Sequence, residues 1–196
     1  KNMGKIVLVT GGARSGKSSF AESTLLQKEG VCYIATGLVM KEDPEWQERV
    51  KLHQQRRPKS WDTLEQYRDL ASWIDQDNHS DYLLDCATML TTNRLFDLVN
   101  EWYPEKGFLS DEQFLSKAEQ ARILEAMEAE WSQMLSAMKK REATFWIVTN
   151  EVGLGIVPDT RLGRYFRDLQ GRVNQLIAKE ASEVYLVICG LAQQLK

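Results

Sequence analysis

The segment Gly11-Gly12-Ala13-Arg14-Ser15-Gly16-Lys17-Ser18 restricts this chain's fold more than any other stretch. It fits G-x-x-x-x-G-K-[ST], follows the apolar run Ile6-Val7-Leu8-Val9-Thr10, and leads into residues 17–28, which have helical composition. Strand, glycine-rich loop and helix in that order form a cradle for phosphate. Glycines allow a tight loop whose backbone N–H groups turn inward as an anion nest. The helix that starts at once adds its positive dipole end. Lys17 is placed to reach the β- and γ-phosphates, and the Ser18 hydroxyl to ligate Mg²⁺. All of Gly11 to Ser18 is therefore expected to bind nucleotide, with Lys17 also catalytic and Ser18 also a metal ligand.

The rest of the chain agrees with that beginning. Val31 to Thr36, Tyr82 to Cys86, Phe145 to Thr149 and Val184 to Cys189 are further apolar runs, as expected for strands buried on both faces. Helical segments are predicted over about 44–56, 66–76, 90–102, 111–141 and 160–181, with short extra strands near 61–63 or at the C-terminus. Such alternation implies an α/β fold, a mainly parallel sheet with helices on both faces. With the phosphate cradle it reads as a P-loop NTPase of the RecA-like type. One domain over 1–196 is expected, with a helical insertion or extension near 100–140. The long helix is expected to start at a capping box of Ser110 and Gln113, with a core face of Phe114, Ala118, Ala121, Leu124, Met127, Trp131, Leu135 and Met138.

Composition narrows the partners. The 196 residues carry 25 Lys+Arg against 28 Asp+Glu, so no global positive charge draws the chain to nucleic acid. No membrane span or signal-peptide pattern is seen, and Cys32, Cys86 and Cys189 read as three buried thiols in a reducing compartment. A cytoplasmic location is expected.

Other residues carry candidate chemistry. Asp85 closes the run Tyr82-Leu83-Leu84-Asp85, where an open α/β sheet presents strand ends to its ligand, and is expected to serve Mg²⁺. Asn150 and Glu151 close another run and fit either turn chemistry or a site role. His79 lies in the polar segment Asp77-Asn78-His79-Ser80-Asp81 and is expected to be solvated. His53 shares a helical face with Trp46 and Val50, close to Arg49, and precedes Arg56-Arg57-Pro58. Those residues alone fit a structural histidine or a nucleophile beside a phosphate-binding cluster.

Taken together, these blocks resemble the bifunctional adenosylcobinamide kinase / adenosylcobinamide-phosphate guanylyltransferases of cobalamin biosynthesis. The likeness runs from Val9 to Ser18 through Tyr33-Ile34-Ala35-Thr36, then Arg49-Val50, His53, Arg57-Pro58, Trp61 and Glu65. It continues through Asp85-Cys86, Thr88 and Asn93 to Val148-Thr149-Asn150-Glu151-Val152-Gly153-Leu154-Gly155-Ile156-Val157-Pro158 and Gly171-Arg172-Val173-Asn174-Gln175. Leu52 and Gln54 depart from the basic residues that often flank the histidine, and Gly37 from a hydroxyl residue. The resemblance implies phosphorylation of the aminopropanol hydroxyl of adenosylcobinamide by ATP or GTP. GMP transfer from GTP onto that phosphate then follows, through a GMP–histidine intermediate at His53. It also implies that guanine nucleotide contacts Ala35, Thr36, Gly37, Gln54, Gln55, Arg56, Arg57, Glu65 and Asp85, and that the chain forms a homotrimer. A plain P-loop small-molecule kinase with a structural His53, and a non-catalytic GTP-binding module, are the competing readings.

Overall fold

The apolar runs pair because each buries both faces, and the amphipathic segments cover what the sheet leaves exposed. The computed structural model describes residues 3–37, 44–106 and 111–196, apart from the side chains of Glu45, Trp46, Arg49, His53 and Arg56. Its strands are β1 (Lys5–Gly11), β2 (Val31–Ala35), β3 (Asp62–Glu65), β4 (Asp81–Asp85), β5 (Thr144–Asn150), β6 (Glu183–Ile188) and β7 (Leu191–Gln194). The helices are α1 (Lys17–Leu25), α2 (Pro44–Arg56), α3 (Leu70–Gln76), α4 (Ala87–Trp102), α5 (Lys117–Lys140) and α6 (Arg161–Glu180).

These strands form one seven-stranded sheet in the order β3-β2-β4-β5-β1-β6-β7. Every pairing is parallel except that of β6 with β7. The two extra strands are β3 and β7, and β7 makes the sheet mixed. In β3 only Leu64 is apolar, which suits an edge.

β5 separates the P-loop strand β1 from the Asp85 strand β4, so the elements that carry the phosphate loop and the acidic residue are not neighbours. Register nonetheless brings their ends to one edge. Gly11 lies opposite Asn150, Asp85 opposite both Val148 and Ala35, and Ala35 opposite Glu65. That edge is the C-terminal one, where open parallel sheets bind ligands.

The sheet has a core on each face. On one, Ile6, Leu8, Ile34, Leu84, Phe145 and Ile147 pack against α3, α4, α5 and α6, around the fully buried Trp131. On the other, Val7, Val9, Leu83 and Val148 meet Ala21 and Leu25 of α1, with Trp61 and Trp146 closing the layer. Helices thus cover both faces, as α/β patterning requires.

Three expectations are corrected. Residues 111–116 are not helical; α5 starts at Lys117, capped by Ser116, whose hydroxyl accepts from Glu119 N while the Glu119 carboxylate accepts from Ser116 N. The expected cap residue Ser110 lies outside the described residues. Shifting the start exposes Ala118 and Ala121 and puts Ile123 on the core face with Met127 and Trp131. His79 is not simply solvated: Nδ1 lies 2.7 Å from Asp77 Oδ2 and Nε2 2.8 Å from Asp62 Oδ2. Cys32 and Cys86 are buried, but Cys189 is exposed, because it sits in the β6–β7 turn with φ +53°.

Candidate active site

The phosphate loop is shaped by contacts that only glycine permits at its two ends. A Cβ on Gly11 would lie 2.6 Å from both Val187 O and Ser15 Oγ. Gly16, with φ +94°, is the N-terminal cap of α1, and a Cβ there would press on Gly190 Cα at 3.1 Å. Gly190 N donates to Ser15 O at 2.8 Å, so the β6–β7 turn braces the loop from behind.

Lys17 opens α1 with its side chain almost entirely buried, 8% exposed, and its Nζ donates to Gly12 O at 3.0 Å. Burial lowers the pKa of this amine, while Cys86 and Asp85 push it back up. The cation is therefore held inside the loop it serves.

Asp85 stands across from it at the end of β4. Tyr33, on the neighbouring strand β2, donates its phenol O–H to Asp85 Oδ2 at 3.1 Å. Burial, followed by the adjoining Asp85 charge, raises the Tyr33 pKa well above the usual phenol value, so the hydroxyl keeps its proton and remains the donor. Arg57, just past α2, lies over the same ring with Cζ 3.5 Å from the centroid.

The ends of β2 and β4 are locked together behind these groups. Thr36 Oγ1 donates to Cys86 O at 2.7 Å and accepts from Cys86 N at 2.9 Å, and Asn93 Nδ2 donates to Thr36 O at 2.7 Å. Burial pushes the Cys86 thiol up to about 12, which makes it an inert packing group. At the end of β5, Asn150 N and Nδ2 both donate to Thr88 Oγ1, and Asn174 Nδ2 donates to Asn150 O at 3.0 Å. Asn150 thereby ties β5 to α4 and α6. Glu151 N donates to Gly11 O at 3.0 Å, so this turn also holds the start of the phosphate loop.

These groups surround one cleft of about 1020 Å³. Ala13, Arg14, Lys17 and Ser18 form its P-loop wall, and Ala35, Gly37, Glu65, Asp85 and Asn150 lie at the strand ends. The third wall is α2, through Gln47, Val50, Lys51 and Gln54, with Arg57 beyond. The spacing 47, 50, 51 and 54 is one helical face. His53 belongs to α2, one residue before Gln54 and three after Val50. Its side chain, like that of Arg56, lies outside the described residues.

Most expected site residues thus meet on one cleft. Gly11, Gly12, Ser15 and Gly16 act as loop geometry, and Thr36 lies fully buried behind the wall. Gln55 is exposed and does not line the cleft. Sequence reasoning missed Tyr33, Gln47, Lys51, Thr63 and Met89, which line it too. A tyrosine inside an apolar strand run looks like core, and Tyr33 is that as well.

The donors present suit Mg²⁺. Ser18 and Asp85 offer hard oxygens on one cleft, and among the described residues no group of three or more His, Cys, Asp or Glu side chains could cage a metal. An ion bound mostly through nucleotide phosphates and water needs no cage.

Residues 7–195 match the family described as cobinamide kinase / cobinamide phosphate guanyltransferase. The chain is 41% identical over 193 residues to the bifunctional adenosylcobalamin biosynthesis protein CobU of Escherichia coli, covering 97% of this chain and 99% of that one. It is 40% identical over the same length to CobU of Salmonella typhimurium, with the same coverage. To the bifunctional adenosylcobalamin biosynthesis protein CobP of Pseudomonas aeruginosa it is 31% identical over 192 residues, 96% of each chain. With a phosphate loop, a strand-end carboxylate and α2 arranged around one cleft, and with a match that spans nearly its whole length, the chain belongs to the cobinamide kinase / cobinamide phosphate guanyltransferase family.

Proposed function

We propose that this protein phosphorylates the aminopropanol hydroxyl of adenosylcobinamide from a nucleoside triphosphate, then transfers GMP from GTP to that phosphate through a covalent GMP–His53 intermediate. The observation that carries this reading is the sharing of one cleft by the phosphate loop, Asp85 and the helix that bears His53. A single nucleotide site can then serve both steps.

In the kinase step, Lys17 and the loop N–H groups hold the β- and γ-phosphates, and Gly12 O gives up the Lys17 ammonium to them. The substrate hydroxyl attacks the γ-phosphorus and gives up its proton to solvent, the bond to the bridging oxygen breaks, and the nucleoside diphosphate leaves with that electron pair. In the guanylyl step, a ring nitrogen of neutral His53 attacks the α-phosphorus of GTP. A nitrogen–phosphorus bond forms, the α–β bridging bond breaks, pyrophosphate departs, and the ring N–H proton passes to solvent. An oxygen of adenosylcobinamide phosphate then attacks the same phosphorus and displaces the imidazole, which takes a proton back from solvent as it leaves, giving adenosylcobinamide-GDP.

Arg14, Lys17, Lys51 and Arg57 bring positive charge to the cleft and offset that of the departing pyrophosphate. Bound Mg²⁺, held by Ser18 and Asp85, would neutralise phosphate charge. Gln54, Arg56, Glu65 and the Ala35 to Gly37 backbone are assigned to the nucleotide on the same reading, and Gln55, which lies off the cleft, is not. A homotrimeric assembly and a cytoplasmic location belong to the same reading.

The test is incubation with GTP labelled at the α-phosphate. The wild-type protein should acquire an acid-labile, base-stable label, and His53→Ala should acquire none. Label that persists in His53→Ala removes the histidine from the mechanism. Hydroxyl phosphorylation without label points to a plain kinase, and nucleotide binding with neither reaction to a non-catalytic GTP-binding module.

A further inference from the structure

Tyr33 packs in the core among the apolar residues of β2, Val31, Cys32, Ile34 and Ala35. Its ring, 6% exposed, also makes two specific contacts that packing alone does not call for. The hydroxyl donates to Asp85 Oδ2 at 3.1 Å. The ring lies beneath Arg57, with Cζ at 3.5 Å from its centroid.

Each contact fixes something the proposed chemistry uses. A carboxylate with one oxygen anchored has its second oxygen oriented, which fixes how it can face a metal-bound water. Arg57 follows α2 directly, and its N–H donates to Gln54 O at 3.4 Å, so seating its guanidinium seats the end of the helix. That helix end carries His53.

We propose that Tyr33 is a positioning residue that couples the two reactions of the cleft, fixing Asp85 through its hydroxyl and the His53 end of α2 through its ring. The proposal rests on the reading above, in which Asp85 serves Mg²⁺ and His53 takes GMP. Loss of the hydroxyl alone disturbs the metal arm; loss of the ring disturbs both arms.

Two measurements separate these effects in the full-length protein. The first is binding of a fluorescent GTP analogue at stepped Mg²⁺ concentrations. The second is the single-turnover rate of labelling from GTP carrying label at the α-phosphate. Tyr33→Phe should raise the Mg²⁺ concentration for half-maximal binding by about 3- to 10-fold, the size of one hydrogen bond. Its labelling rate at saturating Mg²⁺ should stay within about twofold of wild type, since the ring remains. Tyr33→Leu should show the same Mg²⁺ shift and a labelling rate reduced by about tenfold or more, with GTP affinity at saturating Mg²⁺ little changed. Arg57→Lys removes the planar group from the other side and should slow labelling without the Mg²⁺ shift, which keeps the ring arm testable if Tyr33→Leu does not fold. In an Asp85→Asn background, Tyr33→Phe should add no further shift.

An unchanged Mg²⁺ dependence in Tyr33→Phe, alongside a shifted one in Asp85→Asn, overturns the coupling and leaves the metal assignment standing. An unchanged dependence in Asp85→Asn overturns both. Wild-type labelling rates in Tyr33→Leu and Arg57→Lys overturn the ring arm, whereas absence of label in the wild type overturns the His53 reading beneath it.

Discussion

Lys17 keeps its ammonium where water is scarce, and burial lowers its pKa even though Asp85 and Cys86 oppose the shift. A buried cation costs stability unless an anion compensates it, and in the protein alone its direct partner is a neutral carbonyl, that of Gly12. The charge is thus kept for a ligand. Lys17→Met replaces it with an apolar chain of similar length. We expect this variant to lose nucleotide affinity by about 100-fold or more, the scale of a phosphate-bound cation. Its unfolding temperature without nucleotide should equal or exceed that of wild type. Calorimetry with and without GTP reads both, and a marked fall in the nucleotide-free midpoint would show that Lys17 is structural. The spacing of Gly11 to Ser18 made this residue legible, because loop, lysine and helix start are contiguous in the chain. Tyr33 was not legible. Its partners Asp85 and Arg57 come from other elements, and nothing in an apolar strand run distinguishes a phenol that packs from one that also holds a carboxylate.

His79 links elements rather than residues. Its ring joins Asp77, in the segment after α3, to Asp62, the first residue of the edge strand β3, which also carries Thr63 and Glu65 of the cleft. Tyr82 OH donates to the same Asp77 oxygen at 2.6 Å, and Arg141 donates to Tyr82 OH and to His79 O. Burial lowers the His79 pKa, but the hydrogen bonds its ring donates to the Asp62 and Asp77 carboxylates outweigh it, and the net shift is upward from 6.5. A raised folded-state value means that stabilisation is fully present below pH 6.5 and is lost as pH rises through the folded pKa. With Asp62 largely exposed, the contribution is on the order of 1 kcal/mol. Thermal midpoints of wild type and His79→Gln should therefore differ most at pH 6 and converge as pH rises through the folded pKa, and a gap that widens with pH would contradict this linkage. The local sequence shows only a polar loop, because Asp62 arrives through β3, whose single apolar residue makes a weak strand signal. The start of α5 was misplaced for a related reason. Ser110 with Gln113 and Ser116 with Glu119 both satisfy the capping pattern, and only the packing of Ile123, Met127 and Trp131 selects the second.

At the scale of the molecule, α/β alternation and helices on both faces followed from the chain's periodicity. The insertion of β5 between β1 and β4 did not, since strand order is decided by crossovers that leave no local mark. That order matters to the site. It sets the phosphate loop and Asp85 apart by one strand, with Asn150 between them, and so opens a cleft wide enough to lie beneath α2. Both cores lie on the same sheet, and the ends of four of its strands line the cleft. A ligand bound there contacts elements that cannot unfold separately, so its binding free energy should appear in full as stability of a single transition. At a GTP concentration about 100 times Kd, mass action adds about 2.7 kcal/mol. For a chain of this size about 2–4 °C per kcal/mol is typical, so MgGTP should raise the midpoint by roughly 5–10 °C. Lys17→Met, weakened about 100-fold or more, should show a rise of no more than about 1–2 °C at the same concentration. A rise confined to a second, separate transition would mean that α2, the edge strand β3 and its neighbour β2 melt apart from the P-loop core. The cleft would then be an assembly of independent parts instead of an edge of one cooperative sheet.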